Sequence, residues 1–251
     1  LSMLSAQGKP SFGQVTLDDE IIWENENALS RMCFSRELNL NKDNFISYYL
    51  SVVSIKDYLK LGARYFPNWN GEMANKLLEE FELKPWMRIG KLSKGMLSII
   101  TIIVGMASKA EYTFLDEPVA SLDVFRRRTF YKILLEEYEK TNRTFVISTH
   151  IIEEGADVFE EVIVLKDNKV MQKENTQDLI GRGFRISGKE EDVDKVTNGL
   201  TIYHVEVNGR KKEVTVLLEK NQKLIEGVEV SVQPLTLEKI FIDLCHKGDA
   251  N

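Results

Sequence analysis

Several residue types that define protein classes are scarce in this chain. It contains only two cysteines, Cys33 and Cys245, far apart in sequence. That excludes a disulfide framework and a cysteine zinc motif, and it suits a reducing compartment. Basic residues hold no majority: 33 Lys and Arg face 39 Asp and Glu, a net charge of −6. Such a balance argues against a non-specific nucleic-acid binder. Long hydrophobic runs are also missing. The longest, Ile99 to Ala107, includes Thr101 and Gly105 and falls far short of the ~20 apolar residues that span a bilayer. No signal-peptide pattern is visible, so any link to a membrane is expected to run through a partner. Repeats and low-complexity stretches are absent as well. What remains, 43% apolar and 29% charged residues, is ordinary for a globular chain of one or two domains.

Two short runs carry the chemistry. Phe114-Leu115-Asp116-Glu117-Pro118 and Val146-Ile147-Ser148-Thr149-His150 each read as a strand with polar groups at its C-terminal end. In open α/β sheets that end is where ligands bind. An apolar strand ending in Asp-Glu has a use in nucleotide hydrolysis: the first carboxylate serves Mg²⁺, the second orients or deprotonates water. A strand edge with solvated acids is the alternative. Leu92-Ser93-Lys94-Gly95-Met96 puts a small hydroxyl and a glycine at a predicted helix start, where free N–H groups favour anions. An ordinary N-cap would look the same.

The remaining pattern is mixed. Residues 1–8 read as the tail of a helix, and Gln14–Leu17, Ile21–Trp23 and Ser30–Phe34 as strand pieces. From Lys42 to about Leu92 the pattern is helical, broken near Pro67 and Asn70, with Met73, Leu77, Leu78 and Phe81 on one face. Residues 93–109 predict a buried helix. Asp123 is the expected cap of a helix whose apolar stripe is Phe130, Ile133, Leu134 and Tyr138. Residues 161–171 predict a hairpin turning at Asp167-Asn168. Past 175, Phe184–Ile186, Ile202–Val207 and Val214–Leu218 alternate like antiparallel strands. Lys189–Val196 predicts a helix, and Pro234 precedes a last amphipathic one.

Taken in order, Leu-Ser-Lys-Gly-Met, Phe-Leu-Asp-Glu-Pro, Ala120-Ser121-Leu122-Asp123 and Ser148-Thr149-His150 resemble the signature, Walker B, D-loop and switch-histidine motifs of ABC transporter ATP-binding subunits. The signature variant, the Tyr65–Trp69 run and the Pro234–Phe241 ending are similar to the bacitracin-exporter and YtrB-type subfamilies. The resemblance implies an α/β fold: a P-loop NTPase-type core over 1–175, a helical subdomain over about 38–108, and a small C-terminal α+β appendage over 176–251. It implies ATP and Mg²⁺ as cofactors. Asp116 would support Mg²⁺, Glu117 would be the catalytic base, His150 would contact the γ-phosphate, and Asp123 would couple two sites. Ser93, Lys94, Gly95 and Met96 would face ATP on an opposite subunit of a homodimer or heterodimer. Glu37 is the candidate for the Mg²⁺-water contact at the hinge to the helical subdomain.

The partners implied are a separate membrane subunit and no nucleic acid, with the chain on the cytoplasmic face of the cell membrane, powering transport, by subfamily resemblance export. The aromatics Tyr48, Tyr49, Tyr58, Tyr65, Phe66 and Trp69 are candidates to line a groove for that subunit's coupling helix. One departure stands out: no G-x-x-x-x-G-K-[ST] occurs. Gly8-Lys9 is followed by Pro10, and Gly183-x₄-Gly188-Lys189 ends in Glu190, without the hydroxyl that serves Mg²⁺. The expectation is that Leu1 lies just beyond the phosphate loop and that the chain alone hydrolyses ATP poorly. A degenerate regulatory subunit and a non-transport relative acting on ribosomes or DNA are the competing functions.

Overall fold

The computed structural model describes residues 1–38, 40, 45–225 and 228–246. Two compact units divide the chain between Ile151 and Ile152.

In the first unit, residues 1–8 form turns, not the expected helix end: the Ser5 amide bonds the Leu1 carbonyl, but the turn does not propagate. A two-stranded hairpin, β1 (Thr16–Leu17) and β2 (Glu20–Ile21), turns on Asp18 and Asp19, both at positive φ. That is the geometry of a tight type I′ connection. A short helix α1 (Glu26–Ser30), capped by Asn25, leads into β3 (Met32–Ser35). Then come α2 (Phe45–Val52), α3 (Ile55–Tyr65), α4 (Gly71–Glu80), a 3₁₀ turn Ile89–Lys91, and α5 (Lys94–Ala107). The expected start at Lys42 lies outside the described residues. The predicted break is real: α3 stops at Tyr65, before Pro67, and the Asn70 side chain accepts from the Met73 amide to start α4.

The strand β4 (Tyr112–Asp116), the helix α6 (Val124–Thr141) and the strand β5 (Thr144–Ser148) follow. The three strands form a parallel sheet in the order β3-β4-β5. Both of its faces are covered, which is why β4 reads as an unbroken apolar run. Ile22, Ala28, Met32 and Phe114 make the cluster on one face. On the other face α5 lies close: a Cβ at Gly105 would come within 2.9 Å of Leu115 Cδ2, and Ser35 Oγ donates to the Thr101 carbonyl at 2.7 Å. Ile99, Ile100, Ile102, Ile103 and Met106 are wholly buried. At ~1.5–3 kcal/mol per buried side chain, α5 is the hydrophobic anchor of the unit.

The stripe of α6 differs from the expected one. Phe130, Tyr131, Leu134 and Glu137 are buried, while Tyr138 is exposed. Glu137 goes inward because Lys109 Nζ donates to it at 2.6 Å and Arg143 Nε lies 3.6 Å away.

The second unit contains the hairpin β6 (Glu161–Lys166) and β7 (Lys169–Asn175), turning at Asp167 and Asn168 with positive φ as expected. Then α7 (Thr176–Ile180), β8 (Gly183–Lys189), α8 (Glu190–Thr197), β9 (Ile202–Asn208), β10 (Lys211–Leu217), β11 (Val230–Pro234) and α9 (Leu237–His246) follow. Four of these strands form an antiparallel sheet ordered β11-β8-β10-β9. Ile186, Val214 and Val216 pack with Val193 and Val196 of α8. The glycine-rich run 183–189 is the paired strand β8, with no phosphate loop in it.

Candidate functional site

Parallel register carries the named residues to one edge of the three-stranded sheet. Ser35 is level with Leu115, and Asp116 with Ser148. Past these positions β3 leads to Glu37, β4 to Glu117 and β5 to His150. All three loops therefore leave from the C-terminal ends of the strands, the ligand side of an open α/β sheet.

Asp116 and Ser148 are directly bonded: Ser148 Oγ donates to Asp116 Oδ1. The Glu117 amide donates to the Ser148 carbonyl at 3.0 Å and lies 3.3 Å from its hydroxyl. Glu117 itself has φ of +48°. For a non-glycine residue this left-handed backbone is uncommon and clusters at functional sites. It turns the chain sharply at the strand end. His150 Nδ1 then sits 2.9 Å from Glu117 Oε2. That oxygen is shielded from solvent and has no hydrogen bond of good geometry among the described residues, although the carboxylate as a whole is 40% exposed. Such an acceptor is open to a donor from a ligand or water.

The helix start at Ser93 is built as the sequence predicts. Ser93 Oγ accepts from the Met96 amide at 3.3 Å. Lys94 is exposed, while Leu97 and the residues after it are buried, so the apolar face of α5 is packing within the chain. Gly95 has a second role that spacing did not reveal. A Cβ there would lie 2.7 Å from the Ser121 carbonyl oxygen. The glycine lets the Ser93–Met96 turn press against the 120–123 loop.

In that loop, Asp123 caps α6, with Oδ1 accepting from the Arg126 amide at 3.0 Å. Arg127 Nε holds the Leu122 carbonyl at 2.9 Å. The Ser93–Met96 turn thus meets the 120–123 loop, and the Asp116-Glu117 strand end meets Ser148 and, through the Ala120 amide on the Glu117 carbonyl, that same loop. Glu37 is exposed two residues past β3, on the same sheet edge.

Ser148, which the strand-end pattern quotes but assigns no role, is the missed partner of Asp116. The signal was its place one residue before Thr149-His150 on a strand adjacent to β4. No three His, Cys, Asp or Glu side chains converge on a metal position among the described residues. A Mg²⁺ site of the nucleotide type needs only one or two carboxylates, with water and phosphates filling the rest, and Asp116 suits that donor set. Of the proposed groove aromatics, Tyr48, Tyr49 and Tyr65 are exposed. Phe66 and Trp69 stack at 6.5 Å, and Trp69 lies over Gly62. No helix among the described residues is long and apolar enough to cross a membrane.

Residues 7–154 match the family model described as "AAA domain, putative AbiEii toxin, Type IV TA system". The chain is 22% identical over 124 residues to the ABC transporter ATP-binding protein YtrB of Bacillus subtilis, covering 49% of this chain and 41% of that one. It is 29% identical over 161 residues to the manganese transport system ATP-binding protein MntB of Listeria innocua, covering 63% and 65%. The chain therefore spans less than two thirds of these relatives. Among solved structures it is similar to an ATP-binding subunit of an ABC transporter, with a TM-score of 0.58 at 17% identity over 71% of this chain and 73% of that one. It is also similar to an ATP-binding cassette described as a dimeric post-hydrolysis state bound to ADP and Pi, with a TM-score of 0.56 at 20% identity over 70% and 78%.

Proposed function

The chain belongs to the AAA-domain family that its residues 7–154 match and has the fold of an ABC ATPase cassette, and on that premise we propose that it serves ATP hydrolysis coupled to transport. The observation that carries this is the Glu117 carboxylate. It stands in left-handed backbone beside Asp116, and its shielded Oε2, 2.9 Å from His150 Nδ1, has no hydrogen bond of good geometry among the described residues.

In this reading Glu117 accepts the proton of the attacking water, and His150, beside it, donates toward the transferring phosphate. Asp116, fixed by Ser148, serves the metal, with Glu37 as a further water-mediated contact. Mg²⁺ bound with ATP supplies charge neutralisation at the phosphate oxygens. The Ser93–Met96 helix start presents N–H groups and Lys94 to a γ-phosphate held by a second ATPase subunit. Asp123 transmits between the two sites through the 120–123 loop. A phosphate-cradling G-x-x-x-x-G-K-[ST] is not among these 251 residues. The reading therefore assigns them the catalytic, metal and signature parts of the machine, over a 1–175 module with 176–251 as accessory.

The exposed Tyr48, Tyr49 and Tyr65 support a docking face for a helix of a separate membrane subunit, with this chain peripheral on the cytoplasmic side. Export is the direction proposed, on the resemblance of the signature and of the 234–241 ending.

The test is steady-state ATP turnover by the protein that carries this sequence. Glu117→Gln should lower turnover at least ~100-fold, the usual worth of a general base, while ATP stays bound. Unchanged turnover in Glu117→Gln and Asp116→Asn would sink these assignments, and no turnover in the unmutated protein would return the chain to a regulatory role.

A further inference from the structure

Among the described residues the sheet of the second unit ends in two outer strands, β11 and β9, and they differ. β11 is five residues long and ends in Pro234, which has no N–H to offer. β9 runs seven residues, Ile202–Asn208, and pairs only with β10 among the described residues. It contains no Pro or Lys. Its one irregularity, a bulge opposite Thr215 and Val216, lies near its start. The stretch from His204 to Asn208 is exposed, with Val205 and Val207 about half open to solvent. Glu206 is its one charged residue, and an exposed edge of this length is a ready template for pairing with another strand.

The order of side chains says what fits it. A two-fold axis through Val205, the midpoint of the strand, would set two copies of β9 antiparallel. Val205 would then meet the partner's Val205, and His204 would face the partner's Glu206 twice over. An imidazole N–H set across from a carboxylate can donate to it, whereas two carboxylates set across from each other repel. The strand is thus self-complementary, the requirement of an isologous interface.

We propose that β9 is a homodimerisation edge, joining two copies of the four-stranded sheet into one continuous eight-stranded sheet. The contact needs no nucleotide and stands independently of the ATPase reading. One strand pair with its flanking valines lies at the small end of interface sizes, so association is expected at micromolar protein.

Sedimentation of the full chain without nucleotide, from ~5 to ~200 μM, should show the mass rising from 28.9 kDa toward twice that value. His204→Glu, which sets carboxylate against carboxylate, should keep it monomeric. The double variant H204E/E206K should restore the dimer. Register is read by oxidative cross-linking. Val205→Cys should couple, because the two positions are opposed. Val207→Cys should not, since the axis separates those positions by four residues along the strand, ~13 Å, beyond the ~7 Å limit for a disulfide. The unmutated chain, with Cys33 buried and Cys245 half-buried, gives the background. Circular dichroism of each exposed-site variant checks folding. A chain that stays monomeric at all concentrations, a dimer indifferent to His204→Glu, or equal cross-linking at both positions would overturn the proposal.

Discussion

Two glycines in the first turns of helices make a sharp experiment. Gly95 is the second residue of α5 and Gly71 the first of α4. By helix propensity alone both should gain from alanine, by up to ~1 kcal/mol and less in a first turn. Their surroundings differ. At Gly71 an added Cβ would meet only Trp69 Nε1, at an ordinary 3.8 Å. At Gly95 it would lie 2.7 Å from the Ser121 carbonyl oxygen, and backbone cannot swing away as a side chain can. Overpacking of this kind costs ~1–3 kcal/mol. The net for Gly95→Ala is a loss of about 1–2 kcal/mol, while Gly71→Ala gains a few tenths to ~1 kcal/mol by the propensity term. All three tryptophans, Trp23, Trp69 and Trp86, lie in the first unit, so their fluorescence reports its unfolding alone. At ~2–4 °C per kcal/mol for a unit of this size, the Gly95→Ala midpoint should fall by ~2–8 °C and the Gly71→Ala midpoint should rise. A Gly95→Ala variant that gains stability as Gly71→Ala does would refute the close approach of the Ser93–Met96 turn to the 120–123 loop.

Other expectations follow from the same coordinates. Glu137→Gln leaves the buried Arg143 guanidinium without its counter-charge and should cost ~3 kcal/mol or more in urea unfolding; Glu137→Leu combined with Arg143→Met should recover most of it. Burial pushes the Cys33 thiol up to about 11 from a usual 9.0, so a maleimide at pH 8 should label Cys245 and spare Cys33 until urea is added. Because the folded thiol holds its proton more tightly than the unfolded one, the stability this contributes is complete below pH 9 and is lost as pH rises toward 11; unfolding midpoints across that window, against Cys33→Ala, check the sign. Ser148→Ala removes the donor to Asp116 and should weaken Mg²⁺-dependent nucleotide binding more than binding without metal, by titration at varied Mg²⁺.

Local chemistry was legible in the sequence wherever the interaction spans a few residues. Ser93, Asn70 and Asp123 cap their helices as their side chains dictate. Asp167-Asn168 turns the hairpin because Asp and Asn tolerate positive φ. The unbroken apolar run before Asp116 announced a strand with polar groups at its C-terminal end, and the parallel order of β3, β4 and β5 then carried Glu37, Asp116, Glu117 and His150 to a single edge. Residues 1–8 misled because the opening turn has helical spacing but too few bonds to propagate. β11 was missed because Pro234 reads as a breaker, although it is tolerated at the end of an edge strand.

Long-range contacts were decided only by the fold. Nothing near Tyr138 in sequence says that Glu137 turns inward in its place; Lys109 and Arg143, brought from other elements, supply the charge that makes burial affordable. Nothing in Ser-Lys-Gly-Met says that the glycine must touch Ser121, or that Ser148 must bond Asp116. Sequence alone determined which residues end the strands and begin the helices, since those preferences are set by each residue and its immediate neighbours. Tertiary structure decided which of them meet, because a contact between residues distant along the chain depends on how every intervening element packs.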